Sequence, residues 1–184
     1  MKLIAVLGSR NPEGRTAKAV DALFEGAKGK GAETEKIFLT EIELKLCRQC
    51  DINGWGECRS EGRCVIEDDF AGVADRIREA DMAVFATPVY WGDLSESMRA
   101  FLDRLKRICT HEMGSRGIRG KTAIGICVAG GGGGGAPSCA VSLERILQIC
   151  GFDLFDLIPV RRQNLDMKKE VLRITGEWIA SHIH

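Results

Sequence analysis

Short runs of branched apolar residues alternate along this chain with longer stretches in which apolar residues recur every three or four positions. The runs Leu3 to Leu7, Thr34 to Leu39, Met82 to Ala86, Thr122 to Ala129 and Leu154 to Val160 are predicted strands. Between them, Val20, Leu23, Phe24 and Ala27 fall at i, i+3, i+4 and i+7, as do Phe70, Val73, Ala74 and Ile77, so each set forms one apolar helix face. Leu94, Met98, Phe101, Leu102, Leu105 and Ile108 repeat the pattern, Val141 to Ile149 is a shorter case, and Met167 to Ile183 closes the chain. Strands that are apolar at nearly every position, separated by helices, belong to a parallel sheet covered on both faces.

This alternation predicts a doubly wound α/β fold, a three-layer sandwich with a five-stranded parallel sheet between helices. The natural five-strand order is the flavodoxin-like 2-1-3-4-5. No repeat, linker or charge block divides the sequence, which predicts a single domain over residues 1–184 with a cysteine-rich insertion at about 45–68.

Ligands of such sheets bind beyond the carboxyl ends of the strands, which directs attention to three loops. The first, "GSRNPEGRTAKAV" at residues 8–20, offers the amides of a helix N-terminus, the hydroxyls of Ser9 and Thr16 and the cations Arg10 and Arg15, a set suited to a phosphate dianion. It fits neither the P-loop nor the G-x-G-x-x-G pattern, and an ordinary turn capped by Thr16 or Asn11 is the plainer alternative. The second, "TPVYWGDLSESMRAFLDR" at 87–104, has Pro88 to fix the turn, then Tyr90 and Trp91 where the chain leaves the sheet. They could present flat surfaces to a planar ring, or simply cover the end of the core. The third, "AGGGGGGAPS" at 129–138, has six consecutive glycines that admit close backbone approach to a ligand; a flexible linker is the alternative.

Composition narrows the partners. Lys plus Arg balances Asp plus Glu at 26 each, so nothing advertises nucleic acid or an anionic membrane surface. The first apolar run holds five residues, too few for a signal peptide, and no stretch reaches membrane-spanning length, so a cytoplasmic location is expected. In that reducing compartment eight cysteines point to ligation, reactivity or burial rather than a disulfide scaffold. Cys109, Cys127, Cys139 and Cys150 lie in apolar helix and strand patterns and read as small core residues. His111, His182 and His184 have no partner at catalytic or ligand spacing. Arg161 and Arg162 could attract a nucleotide phosphate but fit equally as solvated charge.

The other four cysteines crowd into "CRQCDINGWGECRSEGRC", residues 47–64, spaced C-x2-C-x7-C-x5-C as Cys47, Cys50, Cys58 and Cys64. Four thiolates could hold a cubane cluster or tetrahedral zinc, or remain thiols that shape a loop. Trp55, between them, could cover a flavin or pin the loop to the surface.

"GSRNPEGRTAK" resembles the phosphate loop of the flavodoxin-like NAD(P)H-dependent FMN reductases, with Arg15 where that family usually has Asn. "TPVYWGDLSESMRAFLDRL" is similar to the same family's flavin-ring loop and following helix, the glycine run to its third flavin loop, and the likeness spans essentially the whole chain. Within the family it is nearest the iron-sulfur flavoprotein branch, whose compact C-x2-C-x2-C-x5-C motif precedes two acidic residues. Here the middle interval is seven residues, and Asp68 and Asp69 follow.

The resemblance implies FMN as cofactor, its phosphate held by Ser9, Arg10, Asn11, Arg15, Thr16 and Ala17, its ring by Pro88, Val89, Tyr90, Trp91 and Gly92 and by Gly130, Gly131, Gly132 and Gly133. It implies NAD(P)H as donor, a small acceptor such as a quinone, and a homodimer or homotetramer. No catalytic side chain is required, because the flavin carries the chemistry. A 4Fe-4S cluster on Cys47, Cys50, Cys58 and Cys64 would instead make the protein a one-electron relay, with ferredoxin as a partner. A flavodoxin-type carrier without a nucleotide site is the non-enzymatic alternative; the balanced charge argues against it, since such carriers dock basic partners through acidic surfaces.

Overall fold

The computed structural model describes residues 1–183; His184 lies outside the described residues. Strands β1 (Lys2–Leu7), β2 (Glu33–Phe38), β3 (Met82–Tyr90), β5 (Thr122–Ala129) and β6 (Asp153–Arg161) form a parallel sheet in the order β2-β1-β3-β5-β6. A sixth strand, β4 (Asp93–Leu94), pairs antiparallel with the end of β3. The five parallel strands thus stand in the expected 2-1-3-4-5 arrangement, and β4 is the addition.

Strand β1 shows why the strands read as unbroken apolar runs. Leu3, Ala5 and Leu7 point into the core on one face of the sheet, Ile4 and Val6 into the core on the other, and all five are fully buried. A strand with no wet face has no polar positions to alternate. Helices α1 (Arg15–Lys28) and α7 (Leu165–His182) cover the first face. Helices α3 (Phe70–Glu79), α4 (Glu96–Ile108) and α6 (Ala136–Cys150) cover the second, where Cys109, Cys127, Cys139 and Cys150 are buried. Two single-turn helices, α2 (Glu57–Ser60) in the cysteine-rich segment and α5 (Glu112–Ser115), whose N-cap is His111, and a 3-10 turn at Arg162–Asn164 complete the described residues.

Two expectations change at β3. It continues four residues past Ala86, so Pro88 lies within the strand opposite Val128, and the reversal comes at Trp91–Gly92. Leu94, expected on the helix face, belongs to β4; Ser95 then caps α4, its hydroxyl accepting from Met98 N at 3.4 Å. A proline can occupy this end of the strand because the ladder there no longer needs its N–H.

The packing of α1 on α7 turns on two glycines. A Cβ at Gly176 would overlap the Leu23 carbonyl oxygen, and one at Gly26 would overlap that of Arg173, so the backbones meet where neither helix has a side chain. Gly176→Ala is expected to lower stability by about 1–3 kcal/mol through overpacking, read as a lower urea midpoint at unchanged slope.

Candidate flavin cleft and cysteine cavity

Beyond the carboxyl ends of β1, β3 and β5 the chain leaves a cleft of about 810 Å³, within the usual range for cofactor sites. Its first wall is the turn after β1. Asn11 shapes this turn: its Oδ1 accepts from Glu13 N at 2.9 Å and its carbonyl from Gly14 N at 3.0 Å. Gly14 occupies the cap position of α1 without a side-chain bond, so neither Asn11 nor Thr16 caps the helix. The opening amides of α1 therefore face the cleft without a side-chain acceptor, beside the buried Ser9 and Thr16. Arg15 lines the mouth, and its Nη1 comes within 3.8 Å of where a Cβ on Gly130 would sit. Arg10 and Asn11 are exposed and stand outside the lining, and Ala17 is buried in the core.

The second wall is the β3–β4 hairpin. Val89 pairs with Leu94 and Tyr90 with Asp93, leaving the two-residue turn Trp91–Gly92 with φ of 53° and 81°. Positive φ at both positions is the tight hairpin turn whose twist suits paired strands. Glycine accepts it freely; tryptophan does so at a cost of about 1–3 kcal/mol. The Trp91 side chain is fully exposed, and Pro88, Val89 and Tyr90 line the same cleft.

The third wall is the glycine loop, Gly130 to Gly135. A Cβ at Gly135 would stand 2.6 Å from Gly92 Cα, so the loop and the hairpin touch backbone to backbone. Gly131, Gly132 and Gly134 have nothing within 4 Å of a would-be Cβ; their bare backbone leaves room for a ligand to approach. Gly135 caps α6 without a side-chain bond, which brings a second uncapped helix N-terminus to the cleft.

One contributor has no local sequence signature. Gln163, in the turn after β6, donates from Nε2 to the Gly132 carbonyl at 3.0 Å, and a Cβ on Gly133 would overlap its Oε1. It latches the glycine loop from a strand end some thirty residues away. Its neighbours Arg161 and Arg162 are exposed.

The cysteine-rich segment leaves β2 and returns to α3 along two stapled arms. Asp69 accepts from Glu43 N at 2.8 Å and Asp68 from Lys45 N at 2.7 Å. From α4, Arg104 reaches between the arms: Nη1 donates to Asp68 and to the Lys45 carbonyl, Nη2 to Asp68 Oδ1 at 2.9 Å. Burial alone would raise the Asp68 carboxyl, but Arg104 and the amides of Lys45 and Phe70 outweigh it and hold it below the ordinary carboxylate range. The guanidiniums of Arg59 and of Arg107 on α4 lie 5.5 and 4.8 Å from the Trp55 ring centroid, and the Arg107 contact pins the loop to the helix.

Cys47, Cys50, Cys58 and Cys64 line one small cavity with Arg104 and Arg107. Arg48 Nε donates to Cys50 Sγ at 3.5 Å and Arg104 Nη2 to Cys64 Sγ at 3.4 Å. Tetrahedral zinc would need sulfurs about 3.8 Å apart; among the described residues no three potential ligands converge to hold a single ion. Four thiols line one space with the Arg63, Arg104 and Arg107 guanidiniums and the Glu57 carboxylate, and the sulfurs match the donor chemistry of an iron–sulfur group.

A doubly wound parallel sheet with an open crevice at its switch point and uncapped helix N-termini along that crevice defines a flavodoxin-like mononucleotide fold. A profile of the NADPH-dependent FMN reductases matches residues 1–156, and the chain belongs to that family. An iron-sulfur flavoprotein of Methanocaldococcus jannaschii is 32% identical over 131 residues, 71% of this chain and 65% of that protein. The chain thus spans a little under two thirds of that relative's length. One from Methanosarcina thermophila is 28% identical over 82% of this chain and 75% of its own. Among solved structures, an NAD(P)H:quinone oxidoreductase from Methanothermobacter marburgensis shares the fold at a TM-score of 0.73 and 20% identity, over 100% of this chain and 98% of that one.

Gln163→Ala is expected to weaken FMN binding about 2- to 10-fold, the worth of one net hydrogen bond, in a flavin-fluorescence titration. An unchanged dissociation constant would show that the glycine loop holds its shape without the latch.

Proposed function

We propose that the protein is an FMN-dependent oxidoreductase that takes reducing equivalents from NAD(P)H and passes them to a small planar acceptor such as a quinone. The observation that carries this reading is the meeting of three loops around one cleft, with two uncapped helix N-termini and a bare glycine wall. Bound FMN supplies the hydride and electron chemistry. The chain's own residues bind and orient. The α1 N-terminus, Ser9, Arg15 and Thr16 suit the phosphate; Pro88 to Gly92 and Gly130 to Gly133 suit the ring. Arg10 and Asn11 serve at one remove, as exposed charge and as the shaper of the turn, and Ala17 through its place in the first turn of α1.

Trp91 suits the acceptor. An exposed indole held at the rim on an unfavourable backbone offers a flat apolar surface beside the ring site. A homodimer or homotetramer in the cytoplasm completes the proposal; no described helix is long and apolar enough to cross a membrane.

A second reading is favoured by the cysteine cavity. Cys47, Cys50, Cys58 and Cys64 would hold a 4Fe-4S cluster, which supplies exchange of single electrons with a carrier such as ferredoxin. Helix α4 joins the two sites. Ser95 at its start adjoins the flavin hairpin, and Arg104, nine residues on and so about 14 Å along the axis, lines the cysteine cavity.

Stopped-flow mixing of FMN-loaded protein with NADPH or NADH is expected to bleach the flavin bands. Failure with both, alongside reduction by ferredoxin, would replace the reductase by the carrier. Trp91→Ala is expected to raise KM for a naphthoquinone about 2- to 10-fold, the worth of one aromatic contact, with kcat little changed.

A further inference from the structure

Among the groups lining the cysteine cavity, Arg104 is the one whose charge is wholly withdrawn from water: its side chain is 1% exposed and that of its partner Asp68 is 0%. Burying an ion pair is costly, and packed apolar residues often hold such segments together equally well, so tying the arms to α4 does not by itself require a full positive charge at this place. The geometry is fixed on all sides. The guanidinium forks onto both oxygens of Asp68, donates to the Lys45 carbonyl, and lies 4.2 Å from the Phe70 ring centroid. What remains of its hydrogen-bonding capacity falls on the cysteine segment: Nη2 donates to Cys64 Sγ at 3.4 Å and to the Ile66 carbonyl at 3.5 Å, and Nε is buried without a partner. Lysine could supply the charge but not the fork that aims it.

We propose that Arg104 is a positioning residue for an iron–sulfur group on Cys47, Cys50, Cys58 and Cys64: Asp68 fixes the guanidinium so that it donates to Cys64 Sγ and places positive charge against the sulfurs. The inference rests on the cluster reading of the cysteine cavity. Reduction adds negative charge to such a group, and a buried cation beside it favours the reduced form, so Arg104 raises its potential. Because the same guanidinium ties both arms of the segment to α4, the helix that follows the flavin hairpin, it also fixes this site relative to the cleft.

The test is anaerobic reconstitution with ferrous iron and sulfide, followed by iron and sulfide analysis and a redox titration monitored by electron paramagnetic resonance. Arg104→Gln is expected to retain the iron and sulfide of the parent protein and to shift the oxidised-to-reduced ratio about tenfold toward oxidised at a fixed potential, ~59 mV for a one-electron couple. Should that variant fail to fold because Asp68 is left unpaired, the double variant Asp68→Asn/Arg104→Gln removes both charges. It is expected to shift the same way by less, since the arginine stands against the sulfur. Parent protein that takes up no iron and sulfide would overturn the cluster reading and this inference together. Loaded parent and loaded variants with one common potential would overturn the role of Arg104 alone.

Discussion

The parallel pairing of β1 with β3 in the middle of the sheet is the constraint on which the rest of the molecule depends. From that pair the chain winds outward in opposite directions, to β2 on one side and to β5 and β6 on the other. The connections leaving the carboxyl ends of β1 and β3 therefore diverge, and a crevice opens between them. One contact sets its width. Gly8 packs against the start of α4 so closely that a Cβ would overlap Ser95 Oγ, and Ser97 Oγ donates to the Gly8 carbonyl at 3.2 Å. Thr87 ties the same serine to β3, accepting from Ser95 N at 3.0 Å. The turn after β1 and the β3–β4 hairpin are thus held by one small polar network on a buried floor.

The third wall is assembled differently. Six glycines lose more freedom on ordering than any other residues would, so this loop needs outside support. It comes from two directions, the backbone of the hairpin at Gly92 and the side chain of Gln163. The same economy appears in the cysteine-rich segment, which is mostly irregular and would be loose by itself. There the buried Arg104–Asp68 pair takes the part of a core, gathering the two arms and the Cys64 sulfur onto α4. That helix follows the β3–β4 hairpin at one end and lines the cysteine cavity along its side, so the cleft and the cavity share one rigid element.

Residue order alone carries the fold. Strands buried on both faces cannot alternate with polar residues, and helices packed on one face must show a 3.6-residue period, so both leave a direct imprint on residue order. The loops after β1, β3 and β5 stood out as breaks in that pattern, where hydroxyls, aromatics and glycines replace the apolar run at the strand ends. Other features arise only when distant segments pack together. Asn11 as shaper of the turn, Arg10 standing clear of the cleft and Ala17 turned into the core depend on how α1 sets its first residues against the sheet. The extension of β3 through Pro88 to Tyr90 depends on pairing with β5 and β4. Gln163 and Arg104 had no local signature at all, because each acts on a segment more than thirty residues away, and a contact between distant segments exists only once the chain has folded.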